Sequence, residues 1–521
     1  MADVVTCATG IVDCDFAKAG ATCADYVQTY QSVQGSEWLL VMAFCIMAVM
    51  SFYIGANDVA NAFGTCVGSK AISNKWACIL GGIANWLGAV TLGYGVSSTI
   101  QTGVSKITTA DCWACGYCNS QMDVYALGMF AALIGAALFL LIATFTAMPV
   151  STTHAIIGGV IGVTIYGVGG SCLSWKFNGG LSGIVASWVI SPVLSGVIGV
   201  MIYLSTHYTI MGSKNPSRNA ILALPILYGL CTFMVIFMIL LKSTATKKMS
   251  KGYMAIISVG TMVLCMVLVH FFLVPFVKKR LPSVTGDEIF GADTLEVENG
   301  EHGQRSLMQT PNDEKPDGGE IAGRLTSASI VSESEARFLE EHSHLTTDQK
   351  DAMFVFRYLI VMVATLESFA HGANDTANST GPVSAVYNVY DNGLDSCKSK
   401  ETPVWIMAIA GCFVCIGIMI QGHRVMETIG KRISVMDMHR GFAMECSSTV
   451  TVVIATLLKL PVSTTHCQVG SVLFVSLVSI GWRRVSFPMM GQIVISWVIT
   501  LPFSALVAVF MTMIFRSAIH L

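Results

Sequence analysis

Charge is what this sequence most lacks. Only 12% of its 521 residues are Asp, Glu, Lys or Arg, while 53% are hydrophobic; soluble domains carry roughly 25% charged residues. That deficit excludes an ordinary water-surrounded globular fold. The charges present nearly cancel, to a net of −2, which argues against nucleic acid or any partner of a polybasic surface. The first 37 residues lack the basic-then-apolar layout of a cleavable leader, so the first apolar run is expected to act as an uncleaved anchor. Alternation of apolar and polar residues is missing too, and with it the signature of a membrane barrel.

What remains is a succession of apolar runs, at 38–54, 76–100, 124–148, 181–206, 221–241, 254–277, 353–370, 403–421, 442–460 and 489–515. Most have the length of about 17–25 residues that a helix needs to cross the hydrocarbon core. Shorter pieces at 155–170 and 467–482 raise the number of segments to about twelve. Lipid leaves no backbone group an outside partner, so the expected class is an all-α polytopic membrane protein.

One stretch breaks the pattern. Residues 278–351 turn polar and acidic, with "EKPDGGE" among them, and such a composition cannot bury enough apolar area to fold alone. It reads as a disordered cytoplasmic loop, with a small regulatory domain as the alternative. The loop separates a first membrane half with linking helices, 38–277, from a second, 352–515, flanked by exterior tails at 1–37 and 516–521. Basic residues such as Lys70, Lys75, "KKR" at 278–280, Arg483 and Arg484 gather on the loop's side, which is therefore expected to face the cytoplasm. Four lysines at 242–251 run against this assignment. Cys7, Cys14, Cys23, Cys397 and the "CWACGYC" group (Cys112, Cys115, Cys118) then lie outside, where disulfides form. A metal site on CxxCxxC is the alternative, though it lacks a clear fourth ligand. The other cysteines read as small apolar packers.

Two motifs occur twice. "GANDVANAFGT" at 55–65 returns as "GANDTANSTGP" at 372–382 with seven of eleven letters unchanged, and "PVSTTH" at 149–154 returns intact at 461–466. The order is the same in both halves, so the chain is a fused duplication. An odd number of spans between the copies makes them inverted repeats, the layout of many secondary transporters. Asn57 and Asn61 lie four apart and share a face of a continuing helix, as do Asn374 and Asn378. Asp58 and Asp375 are ionisable groups at membrane depth, which line pathways or pair with ions. Amide and carboxylate oxygens are hard ligands of the kind a sodium ion takes; helix-to-helix glue is the plainer alternative. The sequons Asn374-Asp375-Thr376 and Asn378-Ser379-Thr380 are too deep to be glycosylated.

"PVSTTH" has proline at the opening of a helix and a Ser or Thr placed to cap it, with apolar runs on both sides. It marks a break between two half-helices within the membrane, where free N–H groups and a partial positive charge hold an anion without a basic side chain. Two such ends, with Ser151, Thr152, Ser463 and Thr464, would cradle a tetrahedral oxyanion; a proline kink with self-satisfied hydroxyls is the alternative. His154 and His466 read as position-holding hydrogen bonders.

These residues resemble the inorganic phosphate transporter (PiT) family of sodium-phosphate symporters, over about 38–280 and 352–515. The resemblance implies an inverted-repeat fold with broken, hairpin-like helices at "PVSTTH", exterior termini, a homodimer, and coupling of phosphate to sodium or, in some members, to protons. The expected phosphate set is Asp58, Ser151, Thr152, Asp375, Ser463 and Thr464. The expected sodium set is Asn57, Asn61, Thr153, Asn374, Asn378 and Thr465. Glu445, in "GFAMECSS", matches the family pattern; Met129 and Asn85 stand where glutamates are common, and Glu367 stands where a small residue is usual. Glu367, His371 and Asp375 fall four apart, a one-sided proton ladder, since Met50 and Ile54 stand at the corresponding places in the first half. Glu445, Glu367 and His371 are thus the coupling candidates, and the departures bear on the coupling ion more than on the substrate. The expectation is a cation-coupled phosphate symporter, sodium first and proton second, with sulfate as rival substrate. No cofactor and no catalytic residue are expected. An intramembrane hydrolase with Ser151 as nucleophile and His154 as base is a remote alternative, and a passive channel or receptor scaffold another. The plasma membrane is the expected location, with a vacuole or organelle membrane as the alternative.

Overall fold

The computed structural model describes residues 37–93, 97–115, 120–177, 180–242, 246, 248–281, 344–392, 402–433, 436–457 and 462–519. Of the segment expected to be a disordered cytoplasmic loop, 278–351, residues 282–343 lie outside these, as do the first 36 residues, Cys118, Cys397 and Pro461, whereas 278–280 close a helix from Val274 and 347–351 open the helix that starts at Thr347. The described chain is helical, with one isolated bridge between Ser105 and Leu173. The first half holds α1 (Glu37–Gly68), α2 (Asn74–Leu92), α3 (Met122–Phe145), α4 (Thr152–Val168) and α5 (Leu181–Thr206). Two linking helices follow, α6 (Pro216–Lys242) and α7 (Lys251–Leu268). The second half holds α8 (Thr347–Asn392), α9 (Val404–Glu427), α10 (Met438–Leu457), α11 (Thr464–Ser479) and α12 (Phe487–Ile519). The apolar runs at 38–54, 181–206, 221–241, 353–370 and 489–515 lie wholly on these helices, and the others overlap them in part. Among the described residues eight helices are long and apolar enough to cross a membrane; α2, α4, α10 and α11 fall below that measure.

The helix that carries "GANDVANAFGT" runs on through the motif to Gly68 rather than closing with the apolar run at 54. Its counterpart α8 does the same from Thr347 to Asn392. The polar side chains find partners sideways, on other helices, so the backbone ladder stays whole.

The two halves exchange helices. The first helix of each packs against the second helix of the other, α1 on α9 and α8 on α2. Likewise α4 packs on α12 and α11 on α5. The glycines of the repeated motif make this possible. A Cβ on Gly55 would lie 2.0 Å from the Val414 carbonyl oxygen, and one on Gly372 would lie 1.8 Å from that of Asn85. The partner helices reciprocate: Gly417 meets the Phe52 carbonyl at 1.8 Å and Gly88 that of Phe369 at 1.9 Å, by the same measure. Small residues let backbones touch where lipid supplies no hydrophobic drive between helices. Gly158 against Leu501 and Gly470 against Pro192 repeat the device at the other pair of crossings.

Candidate functional site

Between α3 and α4 the chain breaks at 146–151. Ala147 takes the left-handed conformation, with φ of 54°, and its carbonyl accepts a hydrogen bond from the Thr428 hydroxyl at 2.7 Å. Asn57 secures the break from α1. Its Nδ2 donates to the Met148 carbonyl at 3.0 Å, and its Oδ1 accepts from the Val150 amide at 3.1 Å. Ser151 then caps α4, accepting the His154 amide at 3.2 Å, and Ser463 caps α11 by accepting that of His466 at 3.4 Å. Each helix start leaves first-turn N–H groups without intrahelical partners.

The two tips and the two aspartates meet. On α1, Asp58 Oδ2 accepts from the Thr152 hydroxyl at 3.3 Å; on α8, Asp375 Oδ2 accepts from the Thr464 hydroxyl at 3.1 Å. Contacts between the halves tie these pairs together. Asn61 Nδ2 donates to Thr465 Oγ1 at 2.9 Å, and Thr465 Oγ1 donates to the Val150 carbonyl at 3.0 Å. Asn378 Nδ2 lies 2.9 Å from Thr152 Oγ1 and 3.2 Å from Thr153 Oγ1. Asn374 Nδ2 donates to Asp375 Oδ1 at 3.4 Å, and Asn61 Nδ2 lies 3.5 Å from Asp58 Oδ1. Of these residues only Thr153 and Asn374 are not fully buried.

The arrangement is rich in negative charge and in oxygen. The partners of the two aspartates are hydroxyls and amides, so a small cation would complete them. Asn61 Oδ1 is buried and without a hydrogen-bond partner, an oxygen available to such an ion. The two half-helix starts supply the opposite character a few residues away, and with it a place for an anion.

Behind the tips stand four aromatic rings. Trp188 lies 4.4 Å from His154, His154 lies 4.6 Å from His466, and His466 stacks on Trp497 at 3.7 Å between ring centroids. His466 Nδ1 also meets Ser463 Oγ at 2.7 Å, which is the hydrogen-bonding duty expected of it. His154 differs: neither ring nitrogen has a hydrogen-bond partner, and the ring holds position by packing between Trp188 and His466.

The coupling candidates form a separate buried group between α8 and α10. Glu445 accepts from the Thr65 hydroxyl and from Gln468 Nε2; Glu367 accepts from the Ser448 hydroxyl. Thr65, Gln468 and Ser448 escaped the sequence reading. Thr65 closes the repeated motif and so was within reach of it, whereas the other two carry no local signal. Cysteine usage also differs from expectation at one place. Cys172, read as an apolar packer, is bonded to Cys112, because the turn after α4 folds back on the loop before α3.

The sequence profile of the phosphate transporter family matches residues 54–508. A Pyrococcus abyssi chain with a provisional phosphate-permease name is 31% identical, over 90% of this chain and 96% of its own length. Sodium-dependent phosphate transporter 1 of Xenopus tropicalis is 27% identical, over 92% of this chain and 96% of its own. A solved structure titled as the sodium-dependent phosphate transporter superposes with a TM-score of 0.72 at 29% identity, covering 92% of this chain and 99% of that one.

Proposed function

The chain belongs to the phosphate transporter family, and on that premise we propose that it is a cation-coupled inorganic phosphate symporter working by alternating access. It is a multi-pass integral membrane protein. One observation carries the proposal: Asn61 to Thr465 and Asn378 to Thr152 and Thr153 join both half-helix tips and both aspartates at a single buried place. Sodium is the proposed coupling ion, in keeping with the sodium-dependent transporters to which the chain is similar.

In this reading the halves are inverted repeats, and the reciprocal helix exchange is what a two-fold axis in the membrane plane produces. Sodium enters among Asn61, Thr153, Asn374, Asn378 and Thr465 and offsets the charge of Asp58 and Asp375, while Asn57, expected in the same set, is taken up by the Met148 carbonyl and the Val150 amide of the break. Phosphate then settles between the starts of α4 and α11, where Thr152, Thr464 and the capping serines 151 and 463 meet it. One half rocks against the other to expose the loaded site on the far side. A homodimer in the plasma membrane is the expected assembly.

Radiolabelled phosphate uptake into proteoliposomes tests this, with sodium compared against choline at two pH values. Sodium-dependent accumulation is the expected result, and no uptake under either a sodium or a proton gradient discards the reading. Excess sulfate is expected to compete poorly; equal competition would assign the site to divalent oxyanions in general.

A further inference from the structure

Where the first half is oily, the second is ionisable. Met50 and Ile54 of α1 and Met129 of α3 are buried apolar residues. The positions of α8 that repeat Met50 and Ile54 hold Glu367 and His371, and α10, which precedes the second "PVSTTH" as α3 precedes the first, holds Glu445, all at most 1% exposed. Each carboxyl is held by one oxygen only. Glu445 Oε1 accepts from Gln468 Nε2 at 2.8 Å and from the Thr65 hydroxyl. Glu367 Oε1 accepts from Ser448 Oγ at 2.5 Å and lies 3.6 Å from His371 Nε2. The second oxygen of each carboxyl has no hydrogen-bond partner, nor have Gln468 Oε1 and both His371 ring nitrogens.

Ser448, which donates to Glu367, lies one helical turn from Glu445 on α10, so the two carboxyls stand side by side. The other ionisable groups around them are Cys66 on α1, next to Thr65, and Cys467 on α11, next to Gln468, with Asp375 one turn beyond His371 on α8, and none of these is cationic. Two buried carboxylates served by a single imidazole are costly to keep ionised together. One proton placed between them turns two stranded acceptors into an O–H···O hydrogen bond and removes half of the charge.

We propose that Glu367 and Glu445 form a proton-binding site confined to the second half, which takes up one proton from the side to which the carrier is open and releases it on the other. The proposal rests on the transporter reading and deepens it. A proton thereby travels with phosphate in addition to sodium. His371, one helical turn from both Glu367 and Asp375, is the positioning residue that carries the charge state of the pair toward the substrate.

Two measurements on the purified full-length protein in lipid test this. Infrared spectra are expected to contain the carbonyl band of a protonated carboxylic acid, lost in Glu367→Gln and in Glu445→Gln but kept in Asp375→Asn. In proteoliposomes, the ratio of proton-driven to sodium-driven phosphate uptake is expected to fall several-fold in Glu367→Gln. Glu367→Met, which installs the residue of the first half, repeats both measurements should the amide variant misfold. A band that survives in Glu367→Gln, or an unchanged ratio, overturns the proposal. A wild type without the band, whose sodium-dependent thermal shift is lost in Glu367→Gln, overturns it in favour of a sodium site. Failure of the wild type to take up phosphate under either gradient overturns the transporter reading instead, and the infrared band then decides the proton site alone.

Discussion

Asn57 and Asn61 are equivalent letters in the motif, four apart on one face, yet they do different things. Both ends of the Asn57 amide are engaged by the backbone of the break, while the Asn61 oxygen has no partner. Asn57→Ala leaves the buried Val150 amide stranded, at a cost of about 1–3 kcal/mol, and frees the half-buried Met148 carbonyl. Its expected outcome is a lower melting temperature in detergent with or without sodium. Asn61→Ala should instead raise the sodium concentration needed for half-maximal uptake, with the smaller effect on melting. For the aspartates, Asp58→Asn or Asp375→Asn alone is expected to reduce phosphate uptake by about tenfold or more, equivalent to 1.4 kcal/mol. Equal uptake in either variant would remove these carboxylates from the site. That the motif is polar and duplicated was legible in the residues; which asparagine pins the backbone was not, because the 148–150 carbonyl and amide reach it from 91 and 93 positions away.

At the scale of helices, the apolar runs identified the elements, since crossing hydrocarbon is a property of consecutive residues. Their ends were less legible. The runs at 38–54 and 353–370 continue through their motifs, because side-chain partners on other helices replace the water that would otherwise draw polar residues out. The crossings depend on glycine. Gly372→Ala places a methyl 1.8 Å from the Asn85 carbonyl, so α8 and α2 must part. We expect it to lose the monodisperse peak in size-exclusion chromatography. Gly260→Ala in α7, where a Cβ meets nothing within 4 Å, should be neutral or stabilising by up to about 1 kcal/mol. Similar behaviour of the two variants would refute the close-crossing account.

The whole molecule is closed on one side by the bond between Cys112 and Cys172, 60 residues apart in sequence. Beside it Lys106 Nζ donates to the Ser171 carbonyl at 2.9 Å. A loop of that length restrains the unfolded chain by about 4 kcal/mol in the chain-entropy account. Cys172→Ala is therefore expected to lower the melting temperature and to diminish the mobility change that reductant produces on a denaturing gel. A melting temperature equal to wild type would show the bond to be incidental. By itself the sequence determined the membrane class, the succession of helices, the duplication and the residue types at its centre, because each follows from the transfer of neighbouring residues out of water or from letters that repeat. Only the tertiary structure decided that the halves exchange helices, that Asn61 meets Thr465 and Asn378 meets Thr152, that Cys172 is bonded, and that Glu367 meets Ser448 beside Glu445. Those pairings join residues far apart in the chain, and what selects them is how closely glycine lets two backbones cross.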